Sequence, residues 1–405
     1  MKRFNHILLL AAVVLAASAC TKGNDPTGEE DLSPGVVCHQ AVSGSALKGE
    51  KITVSLLNLS PETEVTVKFG KEKTVTHKGS GVVSYAFEQY GSKTITVTMV
   101  PEEVEKQTFK VYVEKLEALQ VVAKKLKENP KLCLVMAHRG NSSDFSIPEN
   151  SLPAIEKCVA DKVDIFEMDL FTTKDGVLVV SHDSDLGRET TGSGSIKSKT
   201  LEQIKSYNLK DRNGNATSEK MLTFDEFLDA CKGRIYINVD IGDRDVNIPE
   251  AVKAVYRKGM TQQVLFYCNT QEKIRAALST NPDCNAYSWV SQAQYLVDNG
   301  NADYLYFTQC GWNPTTAAAS ANGKVDSGKQ PTSASTVASA VNAGTILTVN
   351  AIYTLNTAQL YPRNFTQAQV EDIYKVFPAT SCIHVDTPAE ARAALLAAGK
   401  QLLNN

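Results

Sequence analysis

The 405-residue sequence lacks several features that would assign it to a function class at once. Its nine cysteines include no Cys-x-x-Cys pair and no zinc-ligand spacing, so a zinc module is not predicted. Lysine and arginine total 42 against 45 acidic residues, and a net charge of −3 gives no reason to expect nucleic acid as a partner. No apolar run reaches the length that a membrane-spanning helix needs.

The cysteines also lack the arrangement of a disulfide framework. Eight of them follow residue 30, and several of these eight lie inside apolar strand patterns. An exported chain can form disulfides, but a buried free thiol behaves as a small hydrophobic group. We therefore expect mostly free, buried thiols.

The N-terminus has the order of a secretory signal. Lys2 and Arg3 precede an apolar run over residues 7–17, and small residues lead up to Cys20. The end of this segment resembles a bacterial lipobox, which would make Cys20 the acylated N-terminus. Ala17 stands where leucine is more usual, so ordinary signal cleavage is the alternative. The prediction is an exported, membrane-anchored lipoprotein on the periplasmic face or cell surface, with a signal at 1–20 and a flexible tether at 21–35.

A small all-β domain is predicted over residues 36–114. Apolar and polar residues alternate in five short segments, at 51–57, 63–69, 82–87, 93–99 and 108–113. Such strands favour an antiparallel sandwich, and the run near residue 90 resembles a late strand of immunoglobulin-like modules. No catalytic constellation is found there, so the module is interpreted as a spacer or adhesion element. Residues 115–130 have helical spacing and are predicted to form a linking helix.

From residue 131 to residue 405 the pattern becomes an alternation of strands and helices. Eight strands in about 270 residues match a (β/α)8 TIM barrel, so the predicted class is α/β with a preceding sandwich. An extra apolar run at 177–180 follows the second strand. A loop at 311–335 is interpreted as a lid or as a flexible insertion. The predicted strands are 132–137, 164–170, 234–240, 263–267, 286–290, 304–308, 345–350 and 382–386.

Polar side chains collect where these strands end. His138 and Arg139 follow the first strand, Glu167 and Asp169 share one face of the second, and Asp240 ends the third. Each alone is explained as a capping or solvated residue. In a barrel, however, the carboxyl ends of the strands hold the active site. Two inward acids on an apolar strand need a compensating cation, for which a hard divalent ion is suited.

Together with His182, which follows the 177–180 run, these residues resemble the glycerophosphodiester phosphodiesterase family of the phosphatidylinositol-phospholipase-C-like barrels. The resemblance extends over about residues 132–402. It rests on the segments Ala-His-Arg-Gly (137–140), Pro-Glu-Asn-Ser (148–151), Phe-Glu-Met-Asp (166–169), Ser-His-Asp (181–183), Arg-Glu-Thr-Thr-Gly (188–192), Leu-Thr-Phe-Asp-Glu-Phe-Leu (222–228), Thr-Val-Asn (348–350) and Val-Asp-Thr-Pro (385–388).

The resemblance implies metal-dependent hydrolysis of glycerophosphodiesters to glycerol phosphate and an alcohol. It implies that His138 and His182 are the acid/base pair and that Arg139 holds a phosphate oxygen. Glu149 and Asn350 would contact the substrate, with Glu149 near the metal or bracing its ligands. The cofactor would be Ca²⁺ or Mg²⁺. Its ligands would be Glu167, Asp169 and Asp240.

Two departures leave the head group open. The family usually has Glu-x-Lys where this chain has Asp240-Ile241-Gly242, and often has Trp where Leu347 stands. Glycerophosphocholine, glycerophosphoethanolamine and glycerophosphoinositol are therefore all candidate substrates. One alternative is phospholipase-like cleavage of an inositol or lipid phosphodiester. Another is a non-catalytic surface binding protein that uses the sandwich.

Overall fold

The computed structural model describes residues 33–242, 244, 246–312, 332–352 and 365–404. Cys20, the signal, all but the last residues of the tether, and most of the expected loop at 311–335 lie outside these ranges. The chain divides into two compact units between Glu117 and Ala118. In the ranges described, no helix combines the length and apolar character needed to cross a membrane.

The N-terminal unit is an all-β sandwich of two sheets. Alternating side chains such as Ile52 and Val54 from one sheet, and Val65 and Val67 from the other, form a shared core. This confirms the predicted class, and the two sheets are compatible with an immunoglobulin-like module. One sheet has the order β1 (Gly35–Cys38), β3 (Lys51–Leu57), β6 (Gly81–Ala86), and the other β2 (Ser45–Lys48), β8 (Gln107–Glu117), β7 (Gly91–Val100), β4 (Glu64–Phe69), β5 (Lys73–Lys78); α1 (His39–Ser43) joins β1 to β2.

The predicted linking helix differs from the observed one. Residues 115–117 finish β8, and the helix α2 spans Leu119–Glu128. It belongs to the second unit, where the Leu119 amide donates to the Gln262 carbonyl at 2.8 Å. Its apolar face, including Val122 and Leu126, is buried. The segment is thus a part of the barrel unit.

The second unit contains a closed barrel of eight parallel strands, which confirms the TIM-barrel prediction. Closure comes from the pairing of β9 (Leu132–Ala137) with both its neighbours, β10 (Ile165–Thr172) and β17 (Thr380–Val385). Two short strands flank it: β11 (Leu178–Val180) pairs antiparallel with β10, and β18 (Gln401–Leu402) parallel with β9. The barrel strands are β9 (Leu132–Ala137), β10 (Ile165–Thr172), β12 (Tyr236–Asp240), β13 (Val264–Tyr267), β14 (Asn285–Trp289), β15 (Phe307–Gly311), β16 (Ile346–Asn350) and β17 (Thr380–Val385).

Helices follow the strands, and several of them begin at polar caps. The side chains of Ser151, Thr223 and Thr270 each accept an N–H from the first turn of their helix, which satisfies donors that the helix leaves unpaired. The helices are α3 (Leu152–Ala160), α4 (Leu201–Ser206), α5 (Phe224–Cys231), α6 (Ile248–Arg257), α7 (Gln271–Thr280), α8 (Ala293–Asn299), α9 (Ala334–Asn342), α10 (Gln367–Val376) and α11 (Pro388–Ala397).

Successive side chains of a barrel strand point alternately outward and inward. This decides which of them reach the mouth, the open end of the barrel at the carboxyl ends of its strands. On β10, Phe166 and Met168 pack outward against the helices, so Glu167 and Asp169 point inward. The insertion after β10 forms its own small core around Phe171 and Ile204, and this core supports the loop that carries His182. The strand ends therefore converge on one polar surface.

The eight cysteines after residue 30 all have buried side chains and are unbonded within the described ranges. Burial raises the pKa of the Cys38 thiol to about 11 and that of Cys133 to about 12. At neutral pH these thiols stay protonated. They act as small apolar core groups.

Candidate active site

Three carboxylates form an acidic cluster at the barrel mouth. Glu167 and Asp169 lie on β10, and the register pairs Asp169 with Asp240 at the end of β12. One carboxylate oxygen from each lies within 4.8 Å of the others. The pKa of Glu167 is raised to about 7, first by burial and second by the charge of Asp240. The pKa of Asp169 is also raised to about 7, first by burial and second by the charge of Glu167. Burial and mutual repulsion therefore both disfavour the charged forms of Glu167 and Asp169.

The protein holds one oxygen of each of these carboxylates. The Arg139 amide donates to Glu167 Oε2 at 2.9 Å, and the Gly242 amide donates to Asp240 Oδ1 at 2.7 Å. Asp169 Oδ1 lies 2.7 Å from the Arg244 guanidinium. Asp169 Oδ2 is buried and has no hydrogen-bond partner among the described residues. An all-oxygen donor set with a buried, unpartnered oxygen fits a hard divalent cation, so these acids could hold a metal.

A sharp turn after β9 directs the Arg139 amide at Glu167. Residues His138–Gly140 form a single 3-10 turn in which Arg139 has φ 54° and Gly140 has φ 67°. A Cβ at Gly140 would lie 2.1 Å from the Phe166 ring. The turn therefore needs glycine at this position both for its φ and for space.

His138 forms a buried pair with Asp386, which follows β17. His138 Nδ1 is 2.8 Å from Asp386 Oδ1, and Asn141 donates to the same oxygen at 3.1 Å. Burial, reinforced by the charges of Arg139 and His384, lowers the pKa of His138 well below its usual value. Burial also raises the pKa of Asp386 to about 6. With Nδ1 facing the acid, Nε2 is the nitrogen that remains for chemistry.

A second histidine, His384, faces inward from β17. Its ring centre is 5.5 Å from that of His138, edge to face, and its Nε2 is 3.7 Å from Glu167 Oε2. His384 therefore links the acidic cluster to the His138–Asp386 pair.

His182 forms a more exposed pair with its own neighbour. Its Nδ1 is 2.6 Å from Asp183 Oδ1, and about a third of its side chain is exposed. The Glu189 carboxylate accepts the amides of His182 and Asp183, and Arg188 contacts both Asp183 and Glu189. Hydrogen bonds from His182 and Arg188 outweigh burial and hold the pKa of Asp183 well below its usual range. The loop is fixed around His182.

Glu149 connects Arg139, in the turn after β9, with Arg188, in the loop that carries His182. Its Oε1 accepts from Arg139 Nη1 at 3.3 Å and from Arg188 Nη2 at 2.7 Å. Burial opposes ionisation of this carboxyl, but the two guanidinium groups lower its pKa to about 2. The contacts of Glu149 are thus with arginines. Arg139 also approaches the cluster, with Nε 3.8 Å from Asp169 Oδ2.

Asn350 is the last residue of β16 and is paired with His384 in the register of β16 and β17. Its side-chain oxygen accepts the Ile352 amide at 3.1 Å. This contact shapes the strand end, and its expected role toward substrate stays a prediction.

The absence of the family's lysine, at the position of Gly242, has a steric basis. A Cβ at Gly242 would lie 2.6 Å from the Tyr267 ring, so the tyrosine occupies the space that a lysine side chain there would need. Tyr267 in turn packs edge to face on Tyr287 and Trp289. Arg244, four residues after Asp240, places a guanidinium on this side of the mouth.

His384, Asp386 and Arg188 are among the residues of this site to which no role was assigned from the sequence. His384 and Asp386 stand at i and i+2 at the end of β17, the same period-two signal that identified Glu167 and Asp169. Arg188 begins the Arg-Glu-Thr-Thr-Gly segment, but it was given no role because nothing local in the sequence shows that it reaches Glu149.

Comparisons with known proteins agree with this geometry. A family model described as the glycerophosphoryl diester phosphodiesterase family matches residues 138–295. A glycerophosphodiester phosphodiesterase of Caldanaerobacter subterraneus is 32% identical over 139 residues, 33% of this chain and 56% of that protein. Glycerophosphodiester phosphodiesterase 1 of Homo sapiens is 32% identical over 143 residues, 34% of this chain and 41% of that protein. The chain thus spans about half the length of these relatives.

A solved structure shares the fold. The glycerophosphoryl diester phosphodiesterase of Parabacteroides distasonis superposes with a TM-score of 0.52 at 19% identity, covering 68% of this chain and 92% of that one. At this identity the likeness is evidence of a shared barrel fold.

Proposed function

We propose that this chain is a member of the glycerophosphoryl diester phosphodiesterase family, whose model matches residues 138–295, and that its barrel hydrolyses glycerophosphodiesters to glycerol phosphate and an alcohol. One observation carries the proposal: a cluster of three carboxylates and two His–Asp pairs meet at one barrel mouth. Cleavage of a phosphodiester needs charge neutralisation together with a base and an acid. The mouth supplies side chains for each of these needs.

The acidic cluster is proposed to bind Ca²⁺ or Mg²⁺ through Glu167, Asp169 and Asp240. When bound, such an ion supplies Lewis-acid stabilisation to the phosphate oxygens. The protein's contribution is to hold one oxygen of Glu167 through the Arg139 amide and one oxygen of Asp240 through the Gly242 amide, which leaves their other oxygens for the ion. Oriented ligands lower the cost of assembling the site.

His138 is proposed as the general base. Its lowered pKa keeps the imidazole neutral at pH 7, and Asp386 holds the Nδ1 proton, so Nε2 carries a lone pair. Arg139, which is fixed by Glu149, is proposed to bind a phosphate oxygen with its planar guanidinium.

His182 is proposed as the general acid that protonates the leaving alcohol. Asp183 engages Nδ1, which leaves Nε2 for the transferred proton. Its greater exposure suits a group that meets the outgoing alcohol at the rim. Glu189 and Arg188 keep the loop in place during this transfer.

A head-group panel tests the function. Purified protein is stripped of metal, then assayed with glycerophosphocholine, glycerophosphoethanolamine and glycerophosphoinositol, with and without Ca²⁺ or Mg²⁺, by release of the alcohol. We expect turnover that needs the ion. Glu167→Gln should abolish it, while Glu156→Gln, which removes a surface acid paired with Arg234, should not. Full turnover in excess chelator would contradict the metal role.

Two alternative functions predict different results in this panel. A phospholipase-like enzyme would cleave phosphatidylinositol or intact phospholipid in vesicles and leave glycerophosphodiesters untouched. A non-catalytic binding protein would release no alcohol from either group of substrates. The complete set of acids and histidines at the mouth favours the hydrolase over the binding protein.

Anchoring through Cys20 is a separate proposal. An acylated cysteine followed by a polar, acidic tether would hold the folded units off a membrane surface. It is supported by the order of charged, apolar and small residues in the leader.

A further inference from the structure

The guanidinium of Arg244 lies inside the acidic cluster. Its Nη2 is 2.7 Å from Asp169 Oδ1, and its Nη1 is 3.5 Å from Asp240 Oδ1. Its side chain is only 10% exposed. Both of its ion pairs are therefore with candidate metal ligands.

One nitrogen of this buried guanidinium lacks a hydrogen-bond partner among the described residues. Within the described ranges Arg244 Nε is buried without a hydrogen-bond partner. Besides its 2.7 Å contact with Asp169 Oδ1, Nη2 donates to the His182 carbonyl at 3.3 Å, and the Phe171 ring lies 5.7 Å from the guanidinium carbon. An unpartnered buried donor carries a free-energy cost. The contacts that hold Arg244 here include two carboxylates of the cluster, Asp169 and Asp240.

We propose that Arg244 competes with a divalent ion for the carboxylates of the acidic cluster, so that binding of the ion displaces the guanidinium from Asp169 and Asp240. The inference rests on the proposed metal-dependent function. An ion on the remaining oxygen of Asp169 would lie next to the guanidinium, and like charges that close repel strongly where water is largely excluded. The ion would also neutralise the carboxylates that attract Arg244.

Competition of this kind weakens the affinity for the ion and stabilises the metal-free fold. Removing the charge of Arg244 should therefore tighten metal binding. If Arg244 instead orients Asp169 as a ligand and stays in place, the same change should weaken metal binding. The two roles therefore predict opposite changes in the dissociation constant for the ion.

The test compares full-length protein with Arg244→Gln, which keeps hydrogen-bonding capacity without the charge. Both are stripped with chelator and titrated calorimetrically with Ca²⁺ and with Mg²⁺. We expect the dissociation constant of the variant to fall about ten- to hundred-fold, the scale of a charge-assisted contact. Its metal-free form should unfold at a lower temperature, and the ion should raise its Tm by more than in the parent. Arg234→Gln, which removes a guanidinium paired with Glu156 on the outside, should change neither.

Unchanged or weaker ion binding by Arg244→Gln overturns the inference. If the variant folds only with the ion present, displacement of the ion by a graded chelator gives the same comparison. Absence of ion binding in the parent protein would overturn both the inference and the proposed metal role. Parent binding without tightening in the variant would overturn the inference alone.

Discussion

Asp386 offers the most direct test of the His138 assignment. Asp386→Asn removes the negative charge that faces His138 Nδ1 at 2.8 Å and keeps the shape of the side chain. A hydrogen bond to a charged group contributes about 1.5–3 kcal/mol, so kcat should fall about ten- to hundred-fold. Because Asp386 acts through His138, it is a positioning residue, and KM should change little.

The assay is steady-state release of alcohol from glycerophosphocholine, with the fold checked by circular dichroism and Tm. Asp372→Asn is a matched control, since Asp372 is also buried and accepts a ring N–H, from Trp312 at 3.0 Å. The control should keep its kcat. An Asp386→Asn variant that folds and retains parental kcat would refute the idea that this carboxylate prepares His138 as base.

Four further outcomes are expected. His138→Ala and His182→Ala should each lower kcat by about 10² or more with little change in Tm, the scale of a general acid or base; near-parental rates in either would make that histidine structural. Asp164 lies buried with its carboxyl accepting the Val135 amide, and burial raises its pKa to about 7. Its folded-state pKa exceeds the unfolded one, so its contribution to stability falls as pH rises from about 4 to 7, by up to about 1.4 kcal/mol per pH unit; denaturant unfolding across that range should show a flatter profile in Asp164→Asn. Mass spectrometry should find a lipid mass on Cys20 and none in Cys20→Ser, and a mature N-terminus elsewhere would reject the anchor. Gly242→Lys should lower Tm, because its Cβ would meet the Tyr267 ring at 2.6 Å.

Local patterns predicted the barrel well because parallel strands are buried on both faces. The run 132–137 coincides with β9, and its neighbours were found within a few residues of their observed ends. The sandwich was predicted less completely. β5 (Lys73–Lys78) carries almost no buried side chain, and β1 (Gly35–Cys38) and β2 (Ser45–Lys48) are too short for a clear alternation.

The acidic cluster was predictable because its members share one strand face or a neighbouring strand end. The contacts between distant segments were not. Asp386 pairs with His138 across 248 positions, and Glu149 meets Arg188 across 39. Nor could spacing show that Arg244 would point into the cluster, since that depends on how the chain turns after β12. These pairings are fixed by closure of the barrel, which no local pattern records.

The turn at His138–Gly140 has a consequence for how the site tolerates mutation. Glu167 is oriented by the backbone amide of Arg139, and every residue except proline would supply this N–H at the position. Substitutions of Arg139 that keep its φ would therefore alter the chemistry offered to substrate while leaving Glu167 in place. Gly140 has no such freedom, because Phe166 fills the space beside it. In a mutational library over these two positions, substitutions of Arg139 should give graded changes in catalysis. Substitutions of Gly140 should give an all-or-none loss of folded protein.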